Sequence, residues 1–199
     1  MEAAGSAYPI TLTIDAPLEV PRWRVLFSGL LAIPHLLVLY ALGAVGGVLA
    51  VISWFAIVFT GKHPSGIANV QCMCARYALR AQVYVGFLTA PYPPFSFSTT
   101  PEDPGDFAGT RLDYRLQEEG RNRLTTFFRI FMVLPHVVVL AILGIAAFVV
   151  YIAGFFAVLI TGRWPAGMRA FVVSVFAWGA RVQGYYYLLT DEYPPFELS

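Results

Sequence analysis

His35 and His136 each stand in a stretch that holds no Asp, Glu, Lys or Arg, from Leu26 to Phe59 and from Ile130 to Ile160. An imidazole in such surroundings can ligate a metal or haem iron, or pass a proton near neutral pH. Ionisable groups inside apolar spans are functional candidates by default. Each follows a proline, Pro34 or Pro135, and this gives the plainer role. A proline cannot donate to the carbonyl four residues back, here Leu30 and Phe131, so the helix bends and frees an acceptor. A neutral His beside the bend then serves by hydrogen-bonding a neighbouring helix. Nothing in the sequence brings the two rings to one metal, so no cofactor or metal is expected.

The remaining candidates are basic. Arg76 and Arg80 share a helix face with Asn69, and Arg181 stands in a later segment of similar make-up. These guanidiniums suit lipid phosphate at the membrane surface, or equally serve as anchors for the helix that carries them. Cys72 and Cys74 point to different sides of a helix, which excludes a disulfide between them and leaves buried thiols. There is no HExxH, GxSxG, P-loop or CxxC, and no carboxylate in the apolar stretches, so an enzyme is not expected. Thirteen Lys and Arg against twelve Asp and Glu give no basic field for nucleic acid.

The elements that must position these residues are set by composition. Hydrophobic residues make up 58% of the 199-residue chain and charged residues 13%, far from a soluble domain's balance. Two charge-free runs longer than about 18 residues read as membrane-spanning, and so short a chain has too little else to cover them. The N-terminal segment has no basic region ahead of an early apolar core, so no cleaved signal is expected. As a single helix, Leu26 to Phe59 would be about 51 Å long, well beyond a hydrocarbon core of about 30 Å. Gly43, Gly46 and Gly47 therefore suggest a turn, and each run is expected to fold as a transmembrane hairpin, over 26–59 and 127–160. The segments 67–88 and 168–189 are expected to lie in the interface, which would wet Arg76 and Arg80. The alternation of ITLTID from Ile10 and of RLDYRL from Arg111 predicts short strands. Residues 96–109, SFSTTPEDPGDFAG, read as a solvated linker. Four spans would leave the termini and nearly every basic residue on one side, cytoplasmic by the positive-inside rule.

The chain repeats itself. With a shift of 101, Pro34-His35 falls on Pro135-His136, Thr60-Gly61 on Thr161-Gly162, and Arg80, Gln82 and Tyr84 on Arg181, Gln183 and Tyr185. Tyr92-Pro93-Pro94-Phe95 falls on Tyr193-Pro194-Pro195-Phe196, and 22 of 62 ungapped positions between 34 and 95 are identical. The repeats take in 1–95 and 110–199. The YPPF phrase closes each, its prolines stiffening an extended exit while Tyr and Phe pack on the preceding helix.

The second copy, LPHVVVLAILGIAAFVV followed by LITGRWPAGMRAFVVSVFAWGARVQGYYYLLTDEYPPFELS, resembles a bacterial membrane family known as a domain of unknown function. Its pattern is a helical hairpin, a TGRYP-like loop and an LTDxYPPF ending, here present twice over 24–97 and 125–199. The first copy departs from the pattern at Thr89-Ala90-Pro91 and at His63. The resemblance implies no activity. The expected protein is an all-α, multi-pass inner-membrane protein of two tandem repeats with short cytoplasmic strands and both termini cytoplasmic. Its expected role is that of a non-catalytic accessory or scaffolding subunit, or a lipid organiser, whose partners are the bilayer and a membrane protein or second copy. The alternative is a small transporter or channel with His35 and His136 on its path.

Overall fold

The alternating segments pair with each other across the two repeats. In a computed structural model, which describes residues 8–198, β1 (Ile10–Ile14) and β2 (Thr110–Tyr114) form an antiparallel sheet with Leu12 opposite Leu112. Residues 1–7, within the segment read as lacking a cleaved signal, lie outside the described residues. Alternation does what it predicts: Ile10, Leu112 and Tyr114 are buried, while Thr11, Thr13 and Arg111 are exposed on the other face.

The apolar runs do not fold as hairpins. α2 runs unbroken over Ile33–Thr60 and α5 over Arg129–Thr161, roughly 42 and 50 Å long at 1.5 Å per residue. Inside an apolar run a turn strands peptide groups, and no proline or polar side chain near Gly43, Gly46 and Gly47 offers them partners. Gly46 is instead a contact point, where a side chain would meet the Tyr187 hydroxyl at 2.8 Å. The helical path breaks earlier, at Ala32 and at Phe128, setting off α1 (Arg22–Leu31) and α4 (Arg123–Phe127). Each long helix ends on a left-handed glycine, Gly61 at φ 73° and Gly162 at φ 74°, which closes the last turn onto Ile57 and Val158.

After the Gly–x–x–Pro turn the chain doubles back as α3 (Ser65–Val85) or α6 (Ala166–Tyr186). α3, the segment expected to lie in the interface, is packed against protein on opposite sides. One side, through Cys74, meets α2 at Gly46; the opposite side, through Arg76, meets the β2 carbonyl of Leu112. α6 packs on α5 along one side and takes Ile10 of β1 against Gly184 on another. The order is therefore sheet, then α3 with α6, then α2 with α5. The leading helices are exchanged: α1 packs on α5 of the other repeat and α4 on α2. At the two ends of this arrangement Gly162 meets Arg22 and Gly61 meets Arg123, so α1–α2 and α4–α5 run antiparallel.

Candidate functional site

The closing YPPF phrase folds back over the histidine of its own repeat. His35 lies parallel to Phe95 at 4.4 Å between ring centres, with Tyr92 at 4.9 Å, and its Nδ1 is 2.7 Å from the Tyr77 hydroxyl. His136 repeats this against Phe196 at 4.0 Å and Tyr193 at 4.7 Å, with the Trp178 indole N–H donating to its Nδ1 over 3.3 Å. Tyr92 and Tyr193 donate to the carbonyls of Leu31 and Met132, next to those that Pro34 and Pro135 cannot serve. In each repeat, then, the proline opens or interrupts the long helix, and the tyrosine and phenylalanine of the closing phrase latch the histidine beside it. Both imidazoles are buried, and Nε2 of each lacks a hydrogen-bond partner. The two rings sit in separate clusters with no common neighbour. Among the described residues no group of three or more His, Cys, Asp and Glu is placed to hold a metal ion.

The arginines are not wet. Arg76 and Arg80 are 3% and 2% exposed and are held by the segment read as a solvated linker. Arg80 pairs with Asp103 at 2.9 Å and Asp106 at 2.6 Å. Arg76 donates to the carbonyls of Thr100 and Pro101 and lies 3.3 Å from Asp103. Asp103 also accepts from the Leu112 and Gly105 N–H groups, so it ties linker, strand and helix together. Burial raises the Asp106 carboxyl, but the hydrogen bonds from Arg80 and Ser96 and the Arg80 charge together outweigh it and hold Asp106 below the usual carboxylate range. Arg181 is held by Glu197, through its carboxylate at 3.2 Å and its carbonyl at 2.7 Å. These guanidiniums are buried and held by partners of the same chain rather than presented to a lipid phosphate.

A second arginine set was not singled out from the sequence. Arg24 lies over the Tyr84 ring and donates to the carbonyls of Tyr84, Thr89 and Ala90. In the second repeat Arg129 lies over Tyr185 and donates to the Tyr185 and Thr190 carbonyls and to Asp191 at 2.6 Å. Arg129 stands four residues beyond the equivalent of Arg24, so one place is filled from successive helical turns. A fixed shift of 101 hides that match.

Each repeat also grips the other. Two residues past the ends of α3 and α6 stand Phe87 and Leu188, non-glycine residues with φ of 57° and 64°. The Trp164 indole N–H donates to the Phe87 carbonyl at 2.9 Å. At the equivalent place His63 bonds the Leu188 carbonyl, and its Nε2 lies 2.9 Å from the Ser53 hydroxyl. Burial, with Arg121 nearby, pushes the His63 imidazole down to about 4. A Ser–His pair can act as nucleophile and base, but Ser53 and His63 are sealed at 0% and 3% exposure and no substrate reaches them. Burial likewise pushes the Cys72 thiol up to about 12, so it is unreactive. Two apolar grooves do open beside α3 and α6. One, about 450 Å3, lies between Leu36 and Phe148; the other, about 580 Å3, lies between Ile130 and Leu79. Gln82 borders both.

The geometry defines a class: a tandem-repeat helical protein with two helices long and apolar enough to cross a membrane, each carrying a latched histidine. The family described as a domain of unknown function (DUF4389) matches residues 22–96 and again 123–197, and the chain belongs to that family as two tandem copies. No curated protein and no solved structure matches the chain.

Proposed function

We propose that this is a membrane-embedded, non-catalytic protein of the bacterial inner membrane. It serves as an accessory or scaffolding subunit of a membrane complex, or organises lipid around itself. One observation carries the reading. The apolar side chains of α2 and α5 face outward, from Leu37 at 73% and Tyr40 at 86% to Ile145 at 69%, while His35, His63, His136 and the arginines Arg24, Arg76, Arg80, Arg121, Arg129 and Arg181 are buried. Solvated protein surfaces rarely carry contiguous apolar faces of this extent, which mark contact with a membrane or another protein. Arg24, Arg76, Arg80, Arg121 and Arg129 each donate to carbonyls or carboxylates of the same chain. A molecule built this way offers partners a shape and an apolar surface rather than a reaction.

A path through His35 and His136 for an ion or solute has less support, because each ring is closed under its own Tyr and Phe. The deciding measurement is native mass spectrometry on protein released gently from its own membrane at natural abundance. A stoichiometric protein partner or bound phospholipid is the expected result. A bare monomer with neither, alongside a transport defect in cells carrying His35→Phe and His136→Phe at normal protein level, would overturn the accessory reading.

A further inference from the structure

The symmetry of the fold restricts how it meets a bilayer. α1–α2 and α4–α5 form two rods, over 22–60 and 123–161, whose contacts step forward along one rod and back along the other. Arg22 meets Gly162, Leu36 and Phe148 border one groove, Trp54 lies 5.6 Å from Phe127, and Gly61 meets Arg123. The rotation that exchanges the repeats therefore reverses the rods, and its axis crosses each near its middle, by Leu42 and Leu143. The sheet lies on the same axis. Its register is symmetric about Leu12 and Leu112, with Ile10 opposite Tyr114 matched by Ile14 opposite Thr110. The exposed polar face of the sheet, with Thr11, Thr13, Arg111 and Arg115, is thus level with the middle of the rods.

If the rods stood upright, that polar face would lie at mid-bilayer, the costliest depth for a guanidinium and for a sheet edge. Each rod is also about 58 Å long by its residue count, nearly twice a hydrocarbon core of about 30 Å. We infer that the protein enters the membrane from one face only. α2 and α5 lie along the plane of a single leaflet, α3 and α6 lie above them, and the sheet and linker stand in water. This rests on the membrane-embedded reading above. A helix is about 10–12 Å across, which fits the roughly 15 Å of one leaflet's acyl chains. The partner is the acyl layer of that leaflet, in contact with Leu37, Tyr40, Val48, Ile145 and Phe148. The exposed ion pairs Glu19–Arg163 and Lys62–Glu119, one at each end of the rods, then both reach the headgroups of the same leaflet.

The test is labelling of full-length, membrane-bound protein with an impermeant maleimide, applied to intact cells and to inverted vesicles. The buried native thiols of Cys72 and Cys74 make the unsubstituted chain the control. Glu19→Cys, Glu119→Cys and Thr13→Cys are expected to label from one and the same face, at least tenfold more than from the other. Gly43→Cys and Gly144→Cys, at the middles of the rods where a side chain meets nothing within 4 Å, are expected to label from neither. Labelling of Glu19→Cys and Glu119→Cys from opposite faces, or of Gly43→Cys from the far face, overturns the one-leaflet arrangement and leaves the membrane reading standing. Recovery of the unsubstituted protein in the soluble fraction of lysed cells overturns the membrane reading itself.

Discussion

In the first repeat Ser53 faces His63, and in the second the same two places hold Gly154 and Trp164. The large indole needs the missing side chain, because a Cβ on Gly154 would run into the Trp164 ring. The smaller imidazole leaves room for a hydroxyl and hydrogen-bonds it. Both arrangements put an N–H donor at the left-handed turn that closes the other repeat's last helix. The carboxylate differs in the same manner. Ala90 leaves Arg24 to backbone carbonyls, whereas Asp191 draws in both Arg129 and Arg121 at 2.6 and 2.7 Å. What the two halves share is a set of geometric demands, namely a donor here and a cation there, and each half meets them with different residues. The latch of Tyr, Phe and His is the part that both halves build from the same residues.

The comparison can be broken hardest at Asp191. Asp191→Ala strands two buried guanidiniums and should cost about 3–5 kcal/mol, while Ala90→Gly at the equivalent place should stay within about 1 kcal/mol; thermal unfolding in lipid nanodiscs reads both. Acid comes next. His63 titrates near 4 when folded, against about 6.5 when unfolded. The unfolded state therefore binds the extra proton, and stability should fall as pH drops from about 6.5 to about 4, by roughly 3 kcal/mol in all. Asp191 adds to the loss at still lower pH. Its burial works against the charged form, but its arginine partners hold its pKa below the ordinary value. His63→Trp paired with Ser53→Gly should flatten the upper part of that profile, and an unchanged profile would show that another group sets it.

A milder test exchanges the halves. Gly154→Ser should cost about 1–3 kcal/mol by overpacking. Adding Trp164→His should recover part of that loss, so the two changes are non-additive by at least about 0.5 kcal/mol in a double-mutant cycle. The smallest effect tests the shared part. Tyr92→Phe and Tyr193→Phe each remove one hydrogen bond to a helix carbonyl and should each cost about 1 kcal/mol. Clearly unequal losses would show that the latches do unequal work.

The sequence displayed these features to different degrees. The duplication, the strands and the family pattern were legible, because identity at a fixed spacing and alternation are local signals. The hairpins were misread. Three glycines look like a turn on paper, but an apolar run keeps its peptide groups satisfied by staying helical, and Gly46 serves a tyrosine from the other repeat. Arg76 and Arg80 looked like surface groups because their partners, Asp103 and Asp106, lie in a Pro- and Gly-rich segment that reads as solvent-exposed. The run DPGD was the available clue: two acids spaced to turn around a buried cation. The shift of 101 sets His63 on Trp164 and Ser53 on Gly154, but residues so unlike do not show that they fill one role. Tyr77 was closer to hand, standing 101 residues before Trp178 as a second aromatic donor to a histidine.

The exchange of α1 and α4 between the halves has a consequence for the order of events at the ribosome. β1 has no strand partner until β2, about a hundred residues later, has been made, and α1 must wait longer for α5. At roughly 5–20 residues per second that is several seconds of delay. During that interval the first half holds an unpaired strand edge, an α3 without α6 beside it and an α1 without α5 to pack on. Contacts so distant along the chain also slow the final assembly. The newborn first half therefore depends on what shields it, whether lipid, insertion machinery or a chaperone, until its own second half arrives to complete it.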